Sequence, residues 1–120
     1  MSHHNKDKPL VMVTGATGFV GSSLVDFLST KGITTRRCVR NIAAYPAVSE
    51  SVFENGDINE FTDWSEALSD VDVVVHTAAR VHVMDERSSD PIKEFRRVNV
   101  SATVNLAHQA VEAGVSRFIY

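Results

Sequence analysis

The stretch Leu10-Val11-Met12-Val13-Thr14-Gly15-Ala16-Thr17-Gly18-Phe19-Val20-Gly21 decides how this chain folds. Its first four residues are an apolar run of the length a buried strand needs, and glycines at intervals of three follow without a break. Residues 22–31 then carry an amphipathic pattern. A buried strand, a glycine-rich turn and a helix start, in that order, form a cradle for phosphate. Gly15 permits the sharp exit from the strand, Gly18 lets backbone approach a pyrophosphate, and Gly21 lets the helix pack close to the sheet. The free N–H groups of the first helical turn face the anion, and the helix dipole adds partial positive charge there. A P-loop needs Lys and then Ser or Thr after its last glycine. Here Ser22-Ser23 follow, which disfavours nucleoside triphosphate hydrolysis. The pattern points to a dinucleotide, and the alternative is an ordinary strand-to-helix turn.

Outward from this stretch, strands and helices alternate from Pro9 onward. In the first helix Val20, Leu24, Phe27 and Leu28 fall at offsets 0, 4, 7 and 8, one apolar stripe, and Gly32 ends the helix. Residues 33–39 read as a second strand, with Pro46 breaking the loop after it, and Ser51-Val52-Phe53-Glu54 as a third. Trp64, Ala67, Leu68 and Val71 predict a short helix behind the third strand. A fourth strand, 71–77, contains the continuous run Val73-Val74-Val75, which predicts burial on both faces. After a loop at 80–90, Pro91 suits the first turn of a long helix to about residue 113, which Gly114 ends. Arg117-Phe118-Ile119-Tyr120 begins a fifth strand. The fold class is α/β: a Rossmann-like, doubly wound parallel sheet with helices on both faces.

The bulk numbers narrow the partners. A chain of 120 residues with 43% hydrophobic content supports one core, with burial of roughly two thirds of its surface. The net charge of −3 and scattered Lys and Arg give no dense basic face, which argues against nucleic acid. No apolar run approaches the roughly 18 to 20 residues that cross a bilayer, so no membrane partner is expected. Residues 1–8 are polar and unpatterned, a disordered tail, and His3-His4 lack further ligands; His82 and His108 likewise have no metal-ligand partner, so no metal is expected. The single Cys38 fits a reducing compartment as a small apolar strand residue, and the expected location is cytoplasmic.

In such a sheet the ligand lies beyond the C-terminal strand ends, where strand order reverses. The second strand ends at Val39-Arg40-Asn41, about where an acidic residue would hold the ribose hydroxyls of NAD, yet no Asp or Glu occurs between Asp26 and Glu50. Arg36, Arg37 and Arg40 stand there instead. A guanidinium fork matches phosphate, so Arg40 is suited to the 2′-phosphate of NADP; a solvated charge or an adenine-stacking partner are the alternatives. The cofactor is therefore NAD or NADP, with the missing carboxylate tipping the reading to NADP. The third strand ends at Gly56-Asp57-Ile58, where the carboxylate either accepts from the adenine amino group, with Ile58 against the ring, or caps a turn. The fourth ends at His76-Thr77-Ala78-Ala79-Arg80. Two small residues there let a ribose and pyrophosphate pass, and His76 reads as a packed or hydrogen-bonded residue rather than a base.

These pieces resemble the extended short-chain dehydrogenase/reductases, the group of nucleotide-sugar epimerases, dehydratases and 4-keto reductases. The matching segments are residues 14–21, Gly56-Asp57-Ile58, His76-Thr77-Ala78-Ala79-Arg80, Asn99-Val100-Ser101-Ala102-Thr103-Val104-Asn105-Leu106 and Gly114-Val115-Ser116-Arg117-Phe118-Ile119-Tyr120, in family order. The resemblance implies that Phe19 and Val20 donate backbone N–H groups to the pyrophosphate within a cofactor-binding turn that also includes Gly15, Thr17, Gly18 and Gly21, that Asp57 and Ile58 hold adenine, and that Ala78, Ala79 and Arg80 line the path to nicotinamide. It implies that Asn99 organises backbone and water near the catalytic centre. Family catalysis uses a tyrosine, a lysine four residues later and an upstream Ser or Thr. Here Tyr45 is followed four positions on by Ser49, and Tyr120 is the last residue, so no catalytic residue is assigned. The resemblance thus implies that residues 9–120 are the N-terminal part of a longer Rossmann domain, incomplete at its C-terminal side. It implies a nucleotide-sugar substrate and a homodimer in the full-length protein, formed through the long helix. The activity implied is epimerisation by hydride transfer at sugar C4. A 4-keto reductase using NADP, or a non-catalytic NAD(P) sensor, are the alternatives. Residues 80–86 look like members that act on UDP-linked N-acetylated 6-deoxy sugars in surface polysaccharide synthesis.

Overall fold

The computed structural model describes residues 8–44, 51–78 and 91–120. The expected tail at 1–7, Pro46 and the loop at 80–90 lie outside the described residues. In chain order the elements are β1 (Leu10–Thr14), α1 (Phe19–Thr30), β2 (Thr34–Val39), a 3-10 turn (Ile42–Ala44), β3 (Val52–Glu54), β4 (Val73–His76), α2 (Pro91–Glu112) and β5 (Arg117–Ile119). The five strands are parallel and lie in the order β3-β2-β1-β4-β5. The chain builds outward from β1 to β3, then crosses back to place β4 on the other side of β1. Strand order therefore reverses between β1 and β4, and the crevice for a ligand opens at their C-terminal ends.

The alternation of side chains along β1 builds both halves of the core. Leu10 and Met12 face one side, where Leu106 and Ala110 of α2 meet Trp64, Leu68 and Val71. Val11 and Val13 face the other, under Val25 and the half-buried Leu24 and Leu28 of α1. All of β1 is buried, as a central parallel strand must be. No helix among the described residues is long and apolar enough to cross a membrane.

Three expectations are corrected. The first helix, read with Val20, Leu24, Phe27 and Leu28 as its apolar stripe, runs from Phe19 to Thr30, and its buried residues are Gly21 and Val25; Val20 and Phe27 are exposed. The buried face is fixed by Gly21, whose lack of a side chain lets α1 settle onto the Gly15 carbonyl, so the stripe starts one residue later than apolar character suggests. Residues 65–70 form turns, not the short helix predicted there. One i→i−4 bond forms, Leu68 N–H to the Trp64 carbonyl at 2.9 Å, but the Ser69 and Val71 N–H groups donate three residues back, Asp70 adopts φ +64°, and the Ala67 and Ser69 carbonyls accept from Arg36 Nη1 of β2 at 2.7 and 2.6 Å. In β4, Val74 is fully buried on the α2 side, but Val73 and Val75 are only half-buried, because α1 lies over β1 and β2.

Candidate functional site

The glycine turn is held from beneath. Gly15 has φ +66°, and a Cβ there would lie 2.8 Å from both the Ala78 amide nitrogen and Thr77 Oγ1. Gly18 N–H donates to the Gly15 carbonyl at 2.9 Å, closing the turn. Gly21 is the tightest position: a Cβ would sit 2.1 Å from the Gly15 oxygen, closer than any atom tolerates. Gly18 differs. Its backbone is extended, at φ −74° and ψ 172°, and a Cβ would meet only the Gly15 oxygen at 3.2 Å. Of the three glycines, it is therefore the one whose bareness the packing demands least.

The first helical hydrogen bond of α1 runs from Ser22 N–H to the Gly18 carbonyl at 2.9 Å. The N–H groups of Phe19, Val20 and Gly21 precede it and have no acceptor among the described residues. No side chain caps this end, and its first turn holds no acidic residue. Three donors, a positive dipole end and a side-chain-free approach at Gly18 fit a diphosphate. Thr17 lies exposed beside them.

Beneath the turn, β1 and β4 are fastened by a buried polar knot that the sequence reading did not anticipate beyond His76. Thr14 Oγ1 accepts from the amides of Thr77 and Ala78 at 3.1 and 3.3 Å and lies 2.7 Å from His76 Nδ1. With both acceptances used, the Thr14 proton goes to Nδ1, which leaves His76 as the neutral Nε2–H tautomer. Thr77 Oγ1 donates in turn to the Thr14 carbonyl at 2.6 Å. Thr14 ends β1 opposite His76, the last residue of β4, and Thr77 follows directly, so polar residues closing two adjacent apolar strands are the signal by which the knot is recognisable. Burial holds the His76 imidazole below its usual range. The neutral form is thus the folded form. Its contribution to stability is complete above the ordinary histidine pKa of about 6.5 and is lost as pH falls below it toward the lowered folded value. Thermal melts are expected to show Tm falling from neutral to mildly acidic pH, with His76→Gln flattening that slope; parallel slopes would remove His76 as its source.

The second cluster lies at the ends of β2 and β3. Arg40 and Asp57, read separately as 2′-phosphate and adenine residues, form an exposed ion pair, Nη2 to Oδ1 at 2.7 Å. Ile58 is half-buried against the α2-side core. Arg36 is committed to the turn at 65–70 and is not available to a ligand. Cys38 is buried under this region, which pushes its thiol up to about 12 and leaves it unreactive. A cleft of about 260 Å³ beside β3 is lined by Phe53, Glu54, Asp57, Phe61 and Asp63, among others, and its carboxylates suit it poorly to a diphosphate. Ala78 backs onto Gly15, so the structure joins it to the glycine turn. Asn99 sits on α2, where its amide donates to the Phe95 carbonyl at 3.1 Å. Ala79 and Arg80 lie outside the described residues.

A parallel sheet in this order, with a bare glycine turn and free amides at its switch point, defines a Rossmann-type dinucleotide-binding unit. The model of the NAD dependent epimerase/dehydratase family matches residues 11–120. The chain belongs to that family. It is 45% identical over 114 residues to the UDP-glucose 4-epimerase of Vibrio cholerae, an alignment covering 92% of this chain and 33% of the relative. The crystal structure of UDP-N-acetylglucosamine 4-epimerase from Bacillus cereus superposes with a TM-score of 0.70 at 30% identity, covering 94% of this chain and 39% of that one. A short-chain dehydrogenase/reductase superfamily protein from Agrobacterium tumefaciens with bound NAD gives 0.64 at 31% identity, covering 91% and 31%. The chain thus spans about a third of the length of the proteins it matches.

Proposed function

We propose that this chain is the NAD(P)-binding portion of a nucleoside-diphosphate-sugar epimerase that works by hydride transfer at sugar C4. The observation that carries the reading is the set of unpaired amides at Phe19, Val20 and Gly21 above a turn with no side chain at Gly18. In this reading Gly15, Thr17, Gly18, Phe19, Val20 and Gly21 receive the diphosphate, with the amides donating and the α1 dipole favouring its charge. Asp57 accepts from the adenine amino group, Ile58 supports the ring, and Ala78 with Ala79 and Arg80 borders the path toward nicotinamide. Asn99 orders backbone and water near the reacting sugar. Nicotinamide, when bound, supplies the hydride chemistry, and this chain's residues hold and orient it. Similarity to 4-epimerases supports the sugar substrate. We place the reaction in the cytoplasm, serving polysaccharide synthesis, with a homodimer formed across α2, whose Val100, Val104 and Val111 are exposed.

The test is turnover of UDP-glucose and UDP-N-acetylglucosamine by the full-length protein with no added nicotinamide nucleotide. Interconversion of C4 epimers supports the reading, whereas strict dependence on added NADPH with net sugar reduction supports the reductase. One observation favours that second reading: Arg40 is the cation at the end of β2, and no Asp or Glu stands between Asp26 and Glu50 in the sequence. NADP would then draw Arg40 away from Asp57 onto its 2′-phosphate. Arg40→Ala is expected to weaken NADP about tenfold more than NAD, the worth of one charge-assisted hydrogen bond at an exposed site. Equal losses by titration calorimetry would remove Arg40 from that role.

A further inference from the structure

The segment that carries Asp57 and Ile58 is gripped from two sides. On one, β2 holds it through Asn55 N–H to the Val39 carbonyl at 2.8 Å and Gly56 N–H to the Arg40 carbonyl at 3.1 Å. On the other, two amide side chains of α2 clasp the continuation of the loop. The Thr62 carbonyl accepts from Asn105 Nδ2 at 2.9 Å and from Gln109 Nε2 at 2.8 Å. Gln109 Oε1 accepts from Trp64 N–H at 2.8 Å, and Gln109 Nε2 also donates to Asn105 Oδ1 at 2.9 Å. The Thr62 hydroxyl passes the constraint back: it accepts from Asn59 N–H at 2.9 Å and lies 3.4 Å from the Asp57 carbonyl oxygen, to which it donates.

Asn105 and Gln109 stand four residues apart on one face of α2, around the wholly buried Leu106. Each uses its amide as donor and acceptor together, a demand that neither a carboxylate nor an apolar side chain meets. A loop that needed only to be covered would be served by apolar contact; four directed hydrogen bonds between it and the Asn105 and Gln109 amides fix its register instead. From this we infer that Asn105 and Gln109 are positioning residues that set the Asp57 carboxylate for recognition of adenine. The inference rests on the proposed dinucleotide reading.

The test compares NAD with nicotinamide hypoxanthine dinucleotide, which carries a carbonyl where adenine has its amino group. Both are titrated into the full-length protein, its Gln109→Leu, Gln109→Glu and Asn105→Ala variants, and Asp57→Ala. The unmodified protein is expected to favour NAD about tenfold, the worth of one hydrogen bond to the exposed Asp57 carboxylate, against which hypoxanthine would present a carbonyl instead. Asp57→Ala removes the preference, and each clasp variant lowers it at least about threefold. Gln109→Glu keeps the acceptor for Trp64 N–H and loses the donor to Thr62, so it reports the clasp should Gln109→Leu fail to fold. A role confined to stability would lower Tm and weaken both dinucleotides alike, and an unchanged preference in the clasp variants overturns the inference while leaving the reading of Asp57 intact. An unchanged preference in Asp57→Ala overturns both. Absence of NAD binding to the unmodified protein overturns the dinucleotide reading itself.

Discussion

Gly18→Val is expected to reduce NAD affinity at least about 100-fold while moving Tm by no more than a few degrees. The two halves of that result have separate physical causes. Valine accepts the extended backbone that Gly18 already has, and its Cβ meets one atom, the Gly15 oxygen at 3.2 Å, a tight contact that a shift of a few tenths of an ångström relieves, so the cost to the fold is small. Its γ-methyl groups, however, stand where an anion must come to reach the Phe19 and Val20 amides. Losing two hydrogen bonds to a charged group, each worth about 1.5–3 kcal/mol, amounts to at least 100-fold. Gly21 cannot give the same answer, because a Cβ 2.1 Å from a backbone oxygen breaks the turn before any ligand arrives. Calorimetric titration of the full-length variant with NAD, beside a thermal melt, decides it. Affinity within a few-fold of the parent would show that the diphosphate lies elsewhere.

The fold was legible where its causes are local. Leu10 to Gly21 holds a strand, a turn and a helix start in consecutive residues, and the alternation that follows implies a parallel sheet, whereas the order β3-β2-β1-β4-β5 is visible only in the structure. Legibility failed where distant residues decide. Trp64, Ala67, Leu68 and Val71 have helical spacing, but Asp70 turns to φ +64° and Val71 N–H donates to Leu68, while the Ala67 carbonyl accepts from an arginine 31 residues earlier. Val20 and Phe27 are apolar and exposed, since the buried face of α1 is fixed by a contact between Gly21 and Gly15, which apolar periodicity does not register. The site divides the same way. The glycine turn is contiguous and legible directly, whereas Arg40 and Asp57, which lie 17 residues apart in sequence, meet each other across two strand ends. Asn105 and Gln109 look in sequence like any polar residues on a long helix; only the folded loop reveals what their amides hold.

Trp64→Ala is expected to cost the full-length protein about 3–5 kcal/mol in denaturant unfolding, the range for deleting a buried aromatic side chain. Trp64 is fully buried in the α2-side core, beside Met12, Leu68, Val74 and Leu106, so the cavity would open between the sheet and α2 where neither wall can close it. Trp64→Phe makes the argument specific to volume. The indole Nε1–H has no partner among the described residues, and an unpaired buried donor is itself unfavourable by about 1–3 kcal/mol. Phenylalanine removes that donor and fills most of the space, so its cost is expected to stay below about 2 kcal/mol. The Trp64 backbone amide still reaches Gln109 in both variants, which leaves the core as the only difference between them. Equal losses for the two would mean that the indole hydrogen bonds to something; a loss below about 1 kcal/mol for Trp64→Ala would mean that residues 64–71 do not seal this side of the sheet.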